Sequence, residues 1–578
     1  MSDPAKGVDG DVGAPIRGRG FLWQVERFGN MLPEPALLFA MLAGIVIVVS
    51  AIGSAAGWSV QPVRAKAQLV VQVDAAGRPV VGEDGKEVLI PKLGDDGRPE
   101  VTLEAYGKPL SPRSLANGDG VYWMLSSMIR NFTTLPALGL VFVAMLGIGV
   151  AEKFGLFSSL MRGLAMATPR RLLTPMIVFI GANASVASDA GYIILPPLAA
   201  ALYAAMGRSP MAGLAAAFAG VAGGFGGGLF PTAADGFLAG EATRSAHILD
   251  PSYHTVVATH NWYFKIGSAF LITVAGWFVT DKIVEPRLKR MGVTGPGEGA
   301  ADTSALQQMA LTAMERRGLA WAAVAAVLTL GAFAAMIAIP GAPLYGTGQP
   351  VLASGAVAPG ERAGDRWSQV IVPVIFFTFL LPGMAYGIVT GALKCQKDFI
   401  DGIYHGIKSI IPVLAIAFFM GQFVNYFQYT GLDRMLAYAG GSLLVRADLP
   451  IPLLIVLFVA LVVAGDFAIS GMLSKYGVLA PIFIPMFMMA GISPELTTAA
   501  YRIGDSVVNI ITPMNSYLLI ILMVLQKYKK DAGLGSLISL MLPYSIVFFF
   551  SWTAFLLAWY YADLPLGTGA TMHYTPPH

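Results

Sequence analysis

Cysteine occurs once, as Cys395, which excludes an intrachain disulfide and a metal cluster built on cysteines. Charge is scarce as well. Asp, Glu, Lys and Arg make up 13% of the 578 residues, against roughly a quarter in a soluble protein. The six histidines, His247, His254, His260, His405, His573 and His578, are scattered and form no metal-binding pair at helical spacing. No Gly-Lys-Ser/Thr ending follows the run "GGFGGG" (223–228), so it resembles a phosphate loop in composition only, and ATP-driven work is not expected. Its glycines suit close helix approach or local unwinding. A net charge of +3 reports loops rather than a nucleic-acid surface. The polar N-terminus up to about Pro35 lacks a signal-peptide pattern, so the first apolar helix is expected to stay.

What remains is apolar. Hydrophobic residues make up 55% of the chain, and the mean hydropathy is +0.65. About 20 apolar residues cross a bilayer, and runs of that length recur throughout, which predicts an all-α polytopic membrane protein. Nine crossings are read near 36–57, 133–151, 210–239, 262–284, 318–340, 368–392, 405–428, 495–526 and 535–560. Two more apolar blocks, 172–206 and 450–490, are interrupted by "NASVASDAGY" (183–192) and "GDFAISGMLSKYG" (465–477). They read as re-entrant helical hairpins with tips near 185–191 and 468–474, because irregular backbone at that depth needs protein or water around it.

Loop charges orient this plan. Lys and Arg collect in the N-terminal tail, in 153–171, in 282–317, at Lys394 and Lys397, and at Lys527, Lys529 and Lys530. All fall on one side, which the positive-inside rule makes the cytoplasm. The chain then divides into a cytoplasmic segment (1–35), a first crossing (36–57), an extracytoplasmic lobe (58–119), a first repeat (133–284), linking helices (318–392), a second repeat (405–560) and an extracytoplasmic tail (561–578). Within 58–119, "AQLVVQV" and "RPEVTLEAYGKPL" predict short strands. Two full crossings in place of each hairpin give the same parity, so the charges support the sidedness alone.

The two repeats are visible on sliding the chain by 284 residues: Tyr192 falls on Tyr476, Pro197 on Pro481, Gly207 on Gly491, Ser209 on Ser493 and Pro210 on Pro494. In both copies an interrupted block precedes Gly-x-Ser-Pro, and a helix with a polar centre follows. The predicted sidedness makes the copies inverted, as in secondary transporters that bind solute and ions at the midplane.

Polar residues in the spans are the candidate site. An unpaired charge at the bilayer centre costs at least ~2.5–3.5 kcal/mol. In "AAYRIGDSVVNIITPM" (499–514), Arg502, Asp505 and Asn509 share a helical face, and Pro513 frees backbone carbonyls nearby. The set is either a local Arg502–Asp505 pair that locks helices or a solute and ion site, and the second reading is preferred. Asp189, without a basic neighbour, is a proton or cation candidate, or a helix N-cap. Asp466 and Lys475 pair with each other or take part in transport. Asp235 and Lys265 are read as snorkelling near the membrane edges, and "HNWYF" (260–264) as an interfacial aromatic anchor.

At these residues the chain resembles the AbgT family, the p-aminobenzoyl-glutamate transporters. The resemblance is carried by "ERFGNMLPEP" (26–35), "LVFVAMLGIGVAEKFGL" (140–156), "ASDAGYIILPPLAAALY" (187–203), "VTDKIVEPRL" (279–288), "AAYRIGDSVVNIITPM" and "MLPYSIVF" (541–548). It implies a homodimer with nine spanning helices and two re-entrant hairpins per protomer in the bacterial inner membrane. It also implies transport of folate-pathway aromatic solutes and, for some members, export of sulfonamide antimetabolites. Family site positions fall on Asp189, Pro494, Arg502, Asp505 and Pro513, and Tyr476 and Asn509 join them as candidate substrate-binding residues. Three departures touch that site: Leu473 and Tyr476 stand where the family favours Ser and Trp, Gly226, Gly227 and Gly228 replace Ser-Ala-Asn, and Asn515 occupies an apolar position.

The expectation is a secondary transporter for an aromatic, anionic solute, driven by H+ or Na+, with no cofactor and no metal beyond Na+ at the hairpin tips. Asp189, Asp505 and Asn509 are the ion-coupling candidates. The alternatives are a channel and an intramembrane aspartyl protease using Asp189 and Asp505. Arg502 one turn from Asp505 disfavours the protease, since it stabilises an ionised carboxylate where a dyad needs a protonated one.

Overall fold

The computed structural model describes residues 34–67, 69–71, 79, 89–91, 101–187, 190–290, 310–348, 364–467, 469, 471–513, 515, 517–530 and 532–574. Asp189 therefore lies outside the described residues, as do parts of both predicted hairpin tips.

Helix α1 (Pro35–Ala55) is followed by two antiparallel strand pairs, β1 (Val63–Ala67) with β4 (Val101–Ala105) and β2 (Leu69–Val71) with β3 (Leu89–Pro91). These short strands lie between the first two apolar runs, where the sequence predicts them. Next come α2 (Gly118–Thr133), α3 (Pro136–Lys153), α4 (Leu156–Ala167), α5 (Leu173–Asn183) and α6 (Ala190–Ala205). Helix α7 (Pro210–Phe218) runs on through a π-helical turn to Gly223, and α8 (Ala233–Leu249), α9 (Trp262–Phe278), α10 (Glu285–Arg290) and α11 (Ala313–Ala338) follow. The second half holds α12 (Ile371–Thr390), α13 (Gln396–Thr430), α14 (Leu432–Ala447), α15 (Ile451–Gly465), α16 (Met472–Met489), α17 (Pro494–Asn509), α18 (Leu518–Gln526) and α19 (Leu534–Tyr561).

The chain is an all-α polytopic membrane protein apart from its small strands, and 8 helices among the described residues are long and apolar enough to span a bilayer. Long helices form a continuous row, α11 on α12, α12 on α3, α3 on α13 and α13 on α1. Helix α8 joins this row to the rest by packing on both α3 and α16. Helix α11 turns most of its surface outward, with Trp321, Val327 and Leu328 exposed, as lipid contact allows.

Both interrupted blocks break where the polar residues fall. Helix α5 gives way to a 3₁₀ turn at Ala184–Ala187, and α15 ends at Gly465 before α16 begins at Met472. At ~1.5 Å per residue, the 11 residues of α5 reach only about half of a ~30 Å hydrocarbon core.

Gly-x-Ser-Pro is helix punctuation. Gly207 and Gly491 take φ +70° and +83°, the left-handed conformation that ends a helix and that glycine adopts without a Cβ penalty. Ser209 and Ser493 are N-caps, and Pro210 and Pro494 stand at the first helical position, where a missing N–H costs nothing. Ser493 Oγ accepts the Leu496 N–H at 3.1 Å.

Several stretches read as single elements are divided, and several read as loops are helical. The predicted crossing 210–239 is broken between Gly223 and Ala233, and 495–526 between Asn509 and Leu518. The glycine run and Pro231 disrupt the first; "ITP" disrupts the second. The stretches 153–171, 241–260 and 429–449, read as connections, hold α4, the end of α8, and α14. The tail after 561 is tied down: Leu566 is fully buried, Phe264 N–H donates to Leu566 O at 3.0 Å, and Tyr574 N–H to Gly491 O at 3.0 Å.

Candidate functional site

Helix α17 is buried from Pro494 to Val508 although it carries Glu495, Arg502 and Asp505. Arg502 and Asp505 do not pair with each other. Arg502 Nη2 stands 2.6 Å from Asp235 Oδ1. Neither atom gains a hydrogen-bond partner, so the contact is an ion pair rather than an aligned hydrogen bond. Arg502 Nε donates to Asn261 Oδ1 at 3.1 Å, and Asn261 Nδ2 donates to Glu495 O at 3.0 Å.

Asp235 is the anchor of this end. It sits in the first turn of α8, where its Oδ2 accepts the Thr232 N–H at 2.6 Å in a capping box. Lys265 Nζ of α9 donates to the same oxygen at 2.6 Å and to Phe230 O at 3.2 Å. Asp235 is 0% and Lys265 3% exposed, so the snorkelling assignment is overturned. The break before Ala233 brings the start of α8 into the interior, where an unbroken helix would have carried Asp235 towards the membrane edge. The "HNWYF" assignment is corrected likewise: His260 and Asn261 are each 1% exposed, and Asn261 serves Arg502. Tyr263 alone of the five is largely exposed.

One turn along α17, Asp505 Oδ1 lies 2.9 Å from Lys475 Nζ. Lys475, in the first turn of α16, also donates to Asp466, which follows α15. The expected Asp466–Lys475 pair is therefore present, and Asp505 joins it. Asp466 Oδ2 and Asp505 Oδ2 are enclosed without a hydrogen-bond partner. Asp235, Lys265 and Arg502 carry a formal excess of one positive charge; Asp466, Lys475 and Asp505 carry one negative. The two excesses occupy adjacent turns, about 4.5 Å apart along the axis.

The other expected residues have distinct positions. Tyr476 is 1% exposed; its OH bonds Thr498 Oγ1 at 2.6 Å, and its ring lies 4.7 Å from that of Tyr501. Tyr501 OH donates to Met472 O at 2.5 Å, which ties α17 to α16. Pro494 opens α17, two turns before Arg502. Asn509 closes it, and Asn515 Nδ2 donates to Asn509 O at 2.8 Å and Oδ1 at 3.0 Å. The polar departure at 515 thus satisfies the broken end of α17. Pro513 lies in that break, partly buried. Arg502 and Asp505 belong to one constellation, whereas Asn509 turns to Asn515 instead.

The glycine departure is also legible. Gly226 N–H donates to Ser506 Oγ at 2.8 Å, and a Cβ at 226 would stand 2.6 Å from Ser506 Oγ and 2.9 Å from Arg502 O. Gly226→Ala should therefore destabilise the fold by about 1–3 kcal/mol, read by thermal unfolding in detergent. Unchanged stability would mean that the segment yields without cost.

Sequence reasoning missed Asn261 and Glu495. Glu495 is fully buried, 2.9 Å from His254 Nε2 and 2.8 Å from Tyr253 OH. Its signal was available: an acid at the start of an apolar, Ser-Pro-led helix.

Buried charges of both signs, held between broken helices in a polytopic chain, are the arrangement in which membrane transporters bind their cargo. The chain belongs to the AbgT family: the model described as "AbgT putative transporter family" matches residues 20–574. The p-aminobenzoyl-glutamate transport protein of Escherichia coli (strain K12) is 33% identical over 556 residues, 96% of each chain. Among solved structures, MtrF of Neisseria gonorrhoeae, described as one of a class of antimetabolite efflux pumps, aligns with a TM-score of 0.79 and 36% identity over 96% of this chain and 100% of its own. The YdaH transporter of Alcanivorax borkumensis, described as having an unusual topology, aligns with 0.76 and 31% over 93% and 100%. The family transports small molecules across the bilayer, and the chain is not an enzyme. The protease alternative loses its dyad accordingly: Asp505 is paired to Lys475.

Proposed function

We propose that this transporter moves an aromatic, anionic solute of the p-aminobenzoyl-glutamate kind, sulfonamide antimetabolites included, and couples that movement to H+ or Na+. The observation that carries the proposal is the charge separation on α17, positive excess around Arg502 and negative excess around Asp505. A solute carboxylate competes with Asp235 for the Arg502 guanidinium, whose planar fork suits it. A proton or Na+ competes with Lys475 for Asp505. Each incoming charge releases a residue that already has a second partner: Asp235 keeps Lys265, and Lys475 keeps Asp466. Exchange therefore strands no buried charge, which would otherwise cost several kcal/mol. Tyr476 and Tyr501 supply aromatic surface beside the site.

The 284-residue correspondence, with Pro210 and Pro494 opening equivalent helices, supports an inverted repeat with two re-entrant hairpins. The loop charges support a cytoplasmic N-terminus and an extracytoplasmic C-terminus, and family membership supports a place in the bacterial inner membrane. Family membership supports a homodimer.

The purified protein in proteoliposomes should accumulate p-aminobenzoyl-glutamate or a sulfonamide when a proton or sodium gradient is imposed, with saturation and collapse on adding an ionophore. Non-saturating flux indifferent to either gradient would favour a channel. Asp189 belongs to the coupling step in this scheme, and Asp189→Asn should abolish gradient-driven transport while leaving the protein folded. Unchanged coupled transport in that variant removes Asp189 from the mechanism.

A further inference from the structure

A second buried ionic group lies on α8, beyond the site. Glu241 is 0% exposed, and neither carboxylate oxygen has a hydrogen-bond partner. Arg244 follows at the i+3 position, on the same helical face. Its Nη1 is enclosed and unpartnered, while the residue as a whole is only part-buried. Asp433, in the first turn of α14, is 3% exposed with an unpartnered Oδ1, and Arg244 lies within electrostatic reach of both acids. No ion pair closes between these three.

Arg244 alone does not balance both acids if both are ionised. Burial pushes the Asp433 carboxyl up to about 7 as well, but backbone N–H groups of Asp433 and Arg434 at the start of α14 and the adjacent Arg434 offset part of that cost, so Asp433 is the readier of the two acids to be the anion. Glu241 has no such support. An ionised carboxylate without a hydrogen bond, enclosed by protein in a membrane, is far costlier than the neutral acid. We propose that Glu241 is a protonation site, distinct from the Arg502–Asp505 constellation, holding a proton as the neutral acid and releasing it to form an ion pair with Arg244. The released proton leaves to an acceptor in bulk water as the site opens during the transport cycle, and the Glu241 carboxylate then meets the free Nη1 one turn along.

The charged group within reach of Glu241 is Arg244 on its own helix. Asp433 on α14 lies within reach of Arg244, with Arg434 beside it, and Tyr476 on α16 lies within reach of both Glu241 and Glu495. Tyr476 lies within electrostatic reach of Glu241 and of Arg502. Glu241 stands six residues, about 9 Å, along α8 from Asp235. Loading and unloading it therefore changes the field at a residue beside the solute site. This last step rests on the proposed transport function; the protonation itself does not.

Infrared difference spectroscopy on the full-length protein at neutral pH tests the protonation directly. A protonated carboxylic acid has a carbonyl stretch that a carboxylate lacks. The band should be present in the unmodified protein, lost in Glu241→Gln and retained in Arg244→Met, since the neutral acid does not depend on the arginine. A spectrum unchanged by Glu241→Gln would overturn the proposal. So would a new acid band in Arg244→Met/Asp433→Asn, where Asp433 can no longer supply one, because it would show that Glu241 is normally an anion held by Arg244; this arm stands even if the glutamine variant does not fold. Failure of transport in liposomes alongside a positive spectrum would count against the transport reading and leave the protonation site in place.

Discussion

Lys475→Met should destabilise the folded protein by about 3–5 kcal/mol and abolish transport. The ammonium, 0% exposed, is shared by Asp466 and Asp505, whose other oxygens already lack partners. Removing it leaves two enclosed carboxylates with no counter-charge. The apolar stem of methionine fills the same space, so the loss is electrostatic rather than a cavity. Thermal unfolding in detergent reads the effect. Adding Asp466→Asn and Asp505→Asn to the same variant should recover much of the stability, because amides do not need the cation, while transport stays lost. A Lys475→Met protein as stable as its parent would show that the aspartates are not ionised together.

Arg502→Ala should abolish transport with a smaller loss of stability. Asp235 keeps Lys265 and its capping hydrogen bonds when the guanidinium goes. Residual binding should separate the solutes: a carboxylate-bearing aromatic should lose affinity far more than a neutral one of similar size, measured by quenching of intrinsic fluorescence or by calorimetry. The double variant Arg502→Ala/Asp505→Ala decides between a locking pair and a working site. If the two residues served only each other, deleting both would restore much of the loss. Their partners are Asp235 and Lys475 instead, so the double variant should fold and remain inactive. Recovery of transport in it would make the residues structural.

The sequence disclosed local features and concealed distant ones. Gly207, Ser209 and Pro210, with their copies at 491, 493 and 494, are punctuation that needs no tertiary contact, so the repeat and the helix starts were legible. The polar interruptions at 183–192 and 465–477 were legible for the same reason, since few residue types break an apolar helix. Helical spacing brought out Arg502 and Asp505 as a set, and left a local pair open as the less favoured of two readings. On a helix buried on all sides, each charge is served better by a cross-helix partner, and α8, α9 and α16 supply one each. Asp235 and Lys265 were misplaced by reading 210–239 as unbroken. A glycine run does not announce whether it packs closely or unwinds, and here the chain leaves the helix after Gly223 and restarts at Ala233. Glu241 was hidden by the same misreading, which assigned it to a loop. The family resemblance pointed to Arg502 and Asp505, but the Asn261 and Lys265 partnerships depend on contacts across helices, which no local pattern records.

Solute uptake into proteoliposomes under an imposed ion gradient is the most direct measurement of whether the separated charges on α17 exchange an anion for a cation. With p-aminobenzoyl-glutamate, the unmodified protein should accumulate solute in proportion to a proton or sodium gradient, and Arg502→Ala/Asp505→Ala should give none. Equal uptake by both proteins, or uptake that ignores the gradient, would contradict it.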